Sequence, residues 1–177
     1  MVERDRDQAG RPRNARPRDR LGRPVPYGAA GVERIPDDLE LSATDTLARA
    51  WELVEAGMPF HAHEVLEARW KTGPADERDL WQGLAQLAVG LTHHLRGNRV
   101  GAATLLNRAA GRLAGYRGPV PPGLDMAAVV AWSRRGASSV AAGADPPPMP
   151  DGMGQKPVGK VQKPGGKVQK PGGRVQP

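Results

Sequence analysis

The run from Leu80 to Leu95, LWQGLAQLAVGLTHHL, carries no formal charge over about 16 residues, and the rest of the chain must be arranged around it. Leu80, Leu84, Leu87 and Leu91 repeat at helical spacing along one stripe, while Gln82, Gln86, Val89 and His93 fall nearly opposite. A helix without charge on any side is stable when protein surrounds it. Its two Gln and two His make it too polar for a bilayer, which takes about 20 apolar residues. The run therefore predicts an all-α fold, a small antiparallel helical bundle with this segment at its centre. Gly83 and Gly90 each cost about 1 kcal/mol of helix propensity, which is expected where a neighbouring helix comes close.

Four further helices surround it in the sequence. The first runs from Ser42 or Thr44 to Ala56, with the stripe Leu47, Ala50, Trp51 and Val54, and Gly57 ends it. The second starts at Pro59, a residue suited to a first turn, and reaches Lys71 before Thr72-Gly73-Pro74 breaks it. The uncharged helix opens at Asp76 or Glu77. Gly97-Asn98 makes the next turn, with Asn98 as N-cap of a helix carrying Val100, Ala103, Leu106, Ala110 and Leu113 to Gly115. A fifth, Asp125 to Arg134, turns Met126, Val129 and Val130 inward. Short connections make successive helices antiparallel, the first, second and fourth packing around the third and the fifth covering them. No 34-residue self-similarity is present, so a tetratricopeptide array is excluded.

The domain read this way spans 37–135, between a basic arm (1–36) and a tail (136–177). Gly (23) and Pro (18) concentrate at the two ends. The arm, with RPR, RPRDR and GRPVP, has almost nothing to bury and is expected to be disordered. The tail repeats VGKVQKP, GGKVQKP and GGRVQP; proline and glycine in every copy forbid a coiled coil, so it too is expected to be disordered. The net charge of +7 resides there: 1–26 and 145–177 carry +4 each, and the middle carries −1. Basic tails of this kind can make weak, salt-sensitive contacts with nucleic acid, while a near-neutral folded part makes the basic balance weak evidence for a folded nucleic-acid surface. The sequence has no cysteine, which excludes disulfides, thiolate zinc sites and cysteine nucleophiles. With no apolar leader after the first charges, the expectation is a soluble, cytoplasmic protein without membrane insertion.

The candidate site lies on the second helix, FHAHEVLEARWK. With His63 set at 0° on a helical wheel, Glu67 falls at about 40°, Phe60 at about 60°, Trp70 at about −20° and Leu66 at about −60°. His63 and Glu67 thus stand one turn apart inside an arc of large apolar residues, with Glu64 at its edge. His61 and Arg69 fall on the far side and are expected to be solvated. An ionisable pair in an apolar arc must find partners. Gln82, Gln86 and His93 on the third helix are the expected ones. Trp51, Trp70, Trp81 and Tyr116 read as core or rim packing.

The string Phe60-x-x-His63-Glu64-Val65-Leu66-Glu67-x-x-Trp70 resembles the signature of a bacterial, archaeal and plastid family called domain of unknown function 309. Gln82-Gly83-Leu84-x-Gln86-Leu87-Ala88, then His93, Gly97-Asn98 and Ala102, resemble it in order and spacing. The likeness covers about 44–130 and leaves out both tails. It implies a compact helical bundle with His, Glu and Gln on its first long helices, and no established activity. Thr92 and His94 depart from it, standing where the family has an aromatic and an apolar residue.

Four readings of His63, Glu64, Glu67, Trp70, Gln82, Gln86 and His93 follow. The plainest is a hydrogen-bonded network pinning the second helix to the third. The same pocket could instead bind a small ligand. A divalent metal would take His63, Glu67 and His93 as its ligands, although the string is His-Glu-x-x-Glu and lacks a Glu-x-x-His pair. Acid–base chemistry would use His63 with Glu64 or Glu67, without a nucleophile or phosphate loop beside it. The reading adopted is a non-catalytic binding or scaffold module with no cofactor, acting on a protein or small-ligand partner. A metal-dependent or acid–base enzyme using the same cluster is the alternative.

Overall fold

The computed structural model describes residues 16–33, 35–36, 39–150 and 153. The expectations for 1–15 and for the repeat tail at 154–177, nucleic-acid contacts included, lie outside the described residues. Among those described, five α-helices form the chain: α1 (Ala43–Glu55), α2 (Pro59–Thr72), α3 (Arg78–Leu95), α4 (Arg99–Gly115) and α5 (Met126–Ala141), with a single 3₁₀ turn (Ala75–Glu77) leading into α3. Apart from isolated bridges of Arg18 to Pro24 and Val32, no strand pairing occurs among the described residues. The bundle is all-α. No helix among those residues is long and apolar enough to cross a membrane.

Local chemistry sets the helix ends. Ser42 caps α1 by accepting from the amide of Asp45 (3.1 Å), Asn98 caps α4 through the amide of Gly101 (2.9 Å), and Asp125 caps α5 through that of Ala128 (3.0 Å). Two helices stop in the same way: Gly57 and Gly97 bond back to Val54 and His94, and the next amides, of Met58 and Asn98, bond to Leu53 and His93. At Gly97 this needs φ near +81°, which a side chain would strain.

Each helix packs chiefly on its neighbours in the chain: α1 on α2, α2 on α3, α3 on α4 and α4 on α5. Only α2 and α4 therefore flank α3 closely. The expected ring of three helices around it is opened out, with α1 lying beyond α2. The core is centred on α3, where Leu80, Trp81, Leu84, Leu87 and Ala88 are fully buried, with Leu47, Leu66, Leu106, Val129 and Trp132 around them. A Cβ on Gly83 would stand 2.6 Å from Leu113, and one on Gly90 3.1 Å from Leu106, so both glycines mark where α4 approaches most closely. Val100, expected in the apolar stripe of α4, is 80% exposed because it lies in the first turn, ahead of that contact.

At both ends described residues outside 37–135 also contact the bundle. The fifth helix continues to Ala141 rather than ending at Arg134, and beyond it the indole of Trp132 donates to the carbonyls of Pro147 (2.9 Å) and Pro148 (3.0 Å). Met153 is buried against the core. At the other end, residues 16–33 have a defined course over α2 and the end of α3. Main-chain carbonyls hold them there, a kind of contact that apolar content does not report.

Candidate functional site

The buried face of α2 is formed by Ala62, Val65, Leu66 and Ala68, with His61 beside them at 2% exposure. The arc centred on His63 and Glu67 faces away from α3. Of the large residues in that arc only Leu66 is fully buried; Phe60 and Trp70 are half-buried at the edges, and the rest of the buried face is made by the smaller Ala62, Val65 and Ala68. The expected positions are therefore exchanged. His61 is buried: Nε2 lies 3.1 Å from the carbonyl oxygen of Asp19, and Nδ1 lies 3.2 Å from Glu64. Arg69, expected in solvent, is half-buried and pairs with Glu77 at 2.7 Å.

His63 and Glu67 do meet. The Nε2 of His63 is 3.4 Å from Glu67, and its Nδ1 is 2.5 Å from the carbonyl oxygen of Phe60. A carbonyl only accepts, so Nδ1 carries the proton and Nε2 is the atom turned toward the carboxylate. The other oxygen of Glu67 pairs with Lys71 at 2.8 Å. Opposite this face runs the N-terminal segment. Between them is a cleft of about 350 Å³, with His63, Glu64, Glu67 and Lys71 on one wall and Arg18 and Ile35 among the residues of the other.

The third-helix partners lie elsewhere. Gln82 accepts from Arg112 of α4 at 3.0 Å, and Arg112 also pairs with Asp79. The Oε1 of Gln86 is buried with no hydrogen-bond partner among the described residues. His93 bonds Asn98 at 2.8 Å, in the turn before α4. No hydrogen bond or ion pair among the described residues joins Gln82, Gln86 or His93 to His63 or Glu67, so the expected cross-helix network does not form. The metal set His63, Glu67 and His93 is likewise not assembled, and no group of three or more His, Cys, Asp or Glu among the described residues could hold a metal ion. Trp70 stands at the rim, with Lys71 and Arg78 each 6.0 Å above its ring.

The ionic cluster that pins α2 to α3 is one the sequence reading missed. Glu77, 14% exposed, accepts from Arg69 and from the indole of Trp81 (2.8 Å), and the Arg69 guanidinium lies 5.6 Å over the Trp81 ring. Burial pushes the Glu77 carboxyl up, but the bonds from Trp81 and Arg69 and the charge of Arg69 outweigh it and hold the group below the usual carboxylate range. Burial, with the charges of Glu77, Asp76 and Asp79, pushes the Tyr116 phenol up, and its hydroxyl donates to the carbonyl of Pro119 at 2.7 Å. The i, i+4 spacing of Glu77 and Trp81 was the available signal.

The comparisons with known proteins bear on this same region. Residues 47–105 match the family model described as Domain of unknown function (DUF309). The matched segment runs from α1 into α4. It thus holds the His63–Glu67 wall of the cleft but neither the N-terminal segment opposite nor α5. The chain is also 48% identical over 48 residues to the uncharacterized protein YpuF of Bacillus subtilis (strain 168), a stretch that is 27% of this chain and 28% of that protein's length. No solved structure matches the chain.

Proposed function

We propose that this protein is a non-catalytic binding module whose ligand site is the cleft between α2 and the segment carrying residues 16–18, Val32, Ile35 and Pro36, and that the ligand presents a cationic, donor-rich group such as an amine or guanidinium. The observation that carries the reading is the gathering of the Glu64 and Glu67 carboxylates beside the His63 imidazole on one wall of the cleft. The Nδ1 of His63 is taken up by the carbonyl of Phe60 and its Nε2 by Glu67, so the imidazole holds the carboxylate in place at the cleft. Of the three cations that line the cleft, Lys71 pairs with Glu67, Arg18 bonds the carbonyl of Gly22 and lies over the Phe60 ring, and Arg16 lies over the Tyr27 ring. The Glu64 and Glu67 carboxylates, each already in one or more pairs, keep further lone pairs that a donor-bearing ligand satisfies.

The cytoplasm is the compartment proposed for it, in keeping with a chain without cysteine. The test is a titration of the isotope-labelled full chain with putrescine and with methylguanidine, following the ring signals of His63. Saturable shifts that Glu67→Gln or Glu64→Gln weakens support the reading. Ring signals unmoved by either probe at millimolar concentration would remove it.

A further inference from the structure

A groove of about 440 Å³, sharing no residue with the cleft on α2, lies where α4 gives way to α5. Gly115 ends α4, and the prolines and glycines from Gly118 to Gly123 keep the chain from continuing as a helix until Asp125 caps α5. The Tyr116 hydroxyl braces this connection by donating to the carbonyl of Pro119 at 2.7 Å. Leu113 and Ala114 of α4, Val120 of the connection and a strip of α5 make the walls. A concavity of this size falls in the range of about 300–1,000 Å³ typical of small-molecule sites.

The α5 strip is apolar surface that the core leaves over. α5 buries Val129, Trp132, Ser133, Gly136, Ala137 and Val140 against the bundle. Met126, Val130 and Arg134 follow one another at four-residue spacing on the flank of that arc, with Ala127 and Ala131 beside them. Of the three residues expected inward here, Val129 alone is fully buried, while Met126 and Val130 are half-buried and line the groove. Val120, a branched apolar residue left 44% exposed, lines it too.

The charged side chains lining this groove are both arginines. Nη1 of Arg117 donates to the carbonyls of Ala114 and Tyr116, at 2.8 Å each, which fixes the guanidinium and leaves its other N–H groups without a partner among the described residues. Arg134 is exposed, and its side chain makes no hydrogen bond or ion pair with any described residue. The carboxylates that act on Tyr116, those of Asp76, Glu77 and Asp79, do not line the groove, and Arg69 and Arg112 occupy the last two. Asp125 is committed to the amide of Ala128. An apolar concavity with two cations and no anion is complementary to an amphipathic anion, and a carboxylate matches the planar fork of a guanidinium. We propose that this groove binds a carboxylic acid with an aliphatic body, its chain along Val120, Met126 and Val130 and its carboxylate on Arg117 and Arg134. The charge it selects is the reverse of that selected by the cleft on α2, so the two readings stand or fall separately.

The test titrates the full chain, carrying isotope-labelled methyl groups, with octanoate. The methyl signals of Met126 and Val130 should move saturably while the ring signals of His63 stay in place. Octanamide, which keeps the aliphatic chain and drops the charge, should bind at least about tenfold more weakly, and the Arg117→Gln/Arg134→Gln double variant should lose about as much for octanoate. Ala127→Glu, at an exposed position, sets a carboxylate in the groove and should abolish binding, with circular dichroism checking the helices of each variant. Methyl signals unmoved by octanoate at millimolar concentration overturn the proposal. Equal affinity for octanoate and octanamide also overturns it, because the arginines would then read no charge. Signals that move with protein concentration and not with octanoate would overturn it in favour of a second copy of the chain.

Discussion

The imidazole of His61 lies 3.1 Å from the main-chain carbonyl oxygen of Asp19, a residue 42 positions earlier in the chain, while His63, two residues along the same helix, turns to the cleft at 20% exposure. The two imidazoles therefore do different work. His61→Ala should cost about 2 kcal/mol in urea denaturation, from the lost bonds and the space left behind, and should speed trypsin cleavage in residues 16–33. His63→Ala should leave stability within about 0.5 kcal/mol of wild type and weaken amine binding measured by calorimetry. Equal destabilisation by both substitutions would contradict this placement.

Glu77 should shape the acid limb of the stability curve. Its carboxyl is held below the usual range in the folded chain, so the folded state binds that proton less readily than the unfolded one. The contribution is complete above the unfolded carboxylate value of about 4.3 and fades as pH falls through the depressed folded value. Glu77→Gln should lower stability at pH 7 by about 1–2 kcal/mol and flatten the curve between neutral and acid pH. A curve with unchanged slope would show that the cluster with Arg69 and Trp81 does not act as drawn.

The approach of α4 to α3 at Gly90 leaves no room for a branched side chain. A Cβ there would meet the side chain of Leu106 at 3.1 Å and its backbone nitrogen at 3.3 Å. Gly90→Leu should destabilise by about 2 kcal/mol or more by thermal unfolding, despite the better helix propensity of leucine.

Trp132 fastens the chain beyond α5. Trp132→Phe keeps most of the ring but removes the donor to Pro147 and Pro148. A loss of about 1 kcal/mol is expected, together with faster hydrogen exchange at Gly143, Ala144 and Asp145 and unchanged exchange in α3. Exchange that stays slow after the substitution would assign the hold to Met153 and its neighbours instead.

Helix number, order and most boundaries were legible in the residues, because they rest on short-range chemistry: the 3.6-residue period, the caps Ser42, Asn98 and Asp125, and the stops at Gly57 and Gly97. The buried leucines of α3 were legible for the same reason, and so was the role of Gly83 and Gly90. The one-turn pairing of His63 with Glu67 was legible too, being fixed by helix geometry alone. The partners of that pair were not. Which arc of α2 faces inward depends on how closely α3 can pack, and packing chose the small residues Ala62, Val65 and Ala68 over the large aromatic ones. That choice buried His61, turned His63 outward and left Gln86 without its expected partner. The hold on residues 16–33 came from main-chain carbonyls, which every residue possesses and no side-chain pattern reveals.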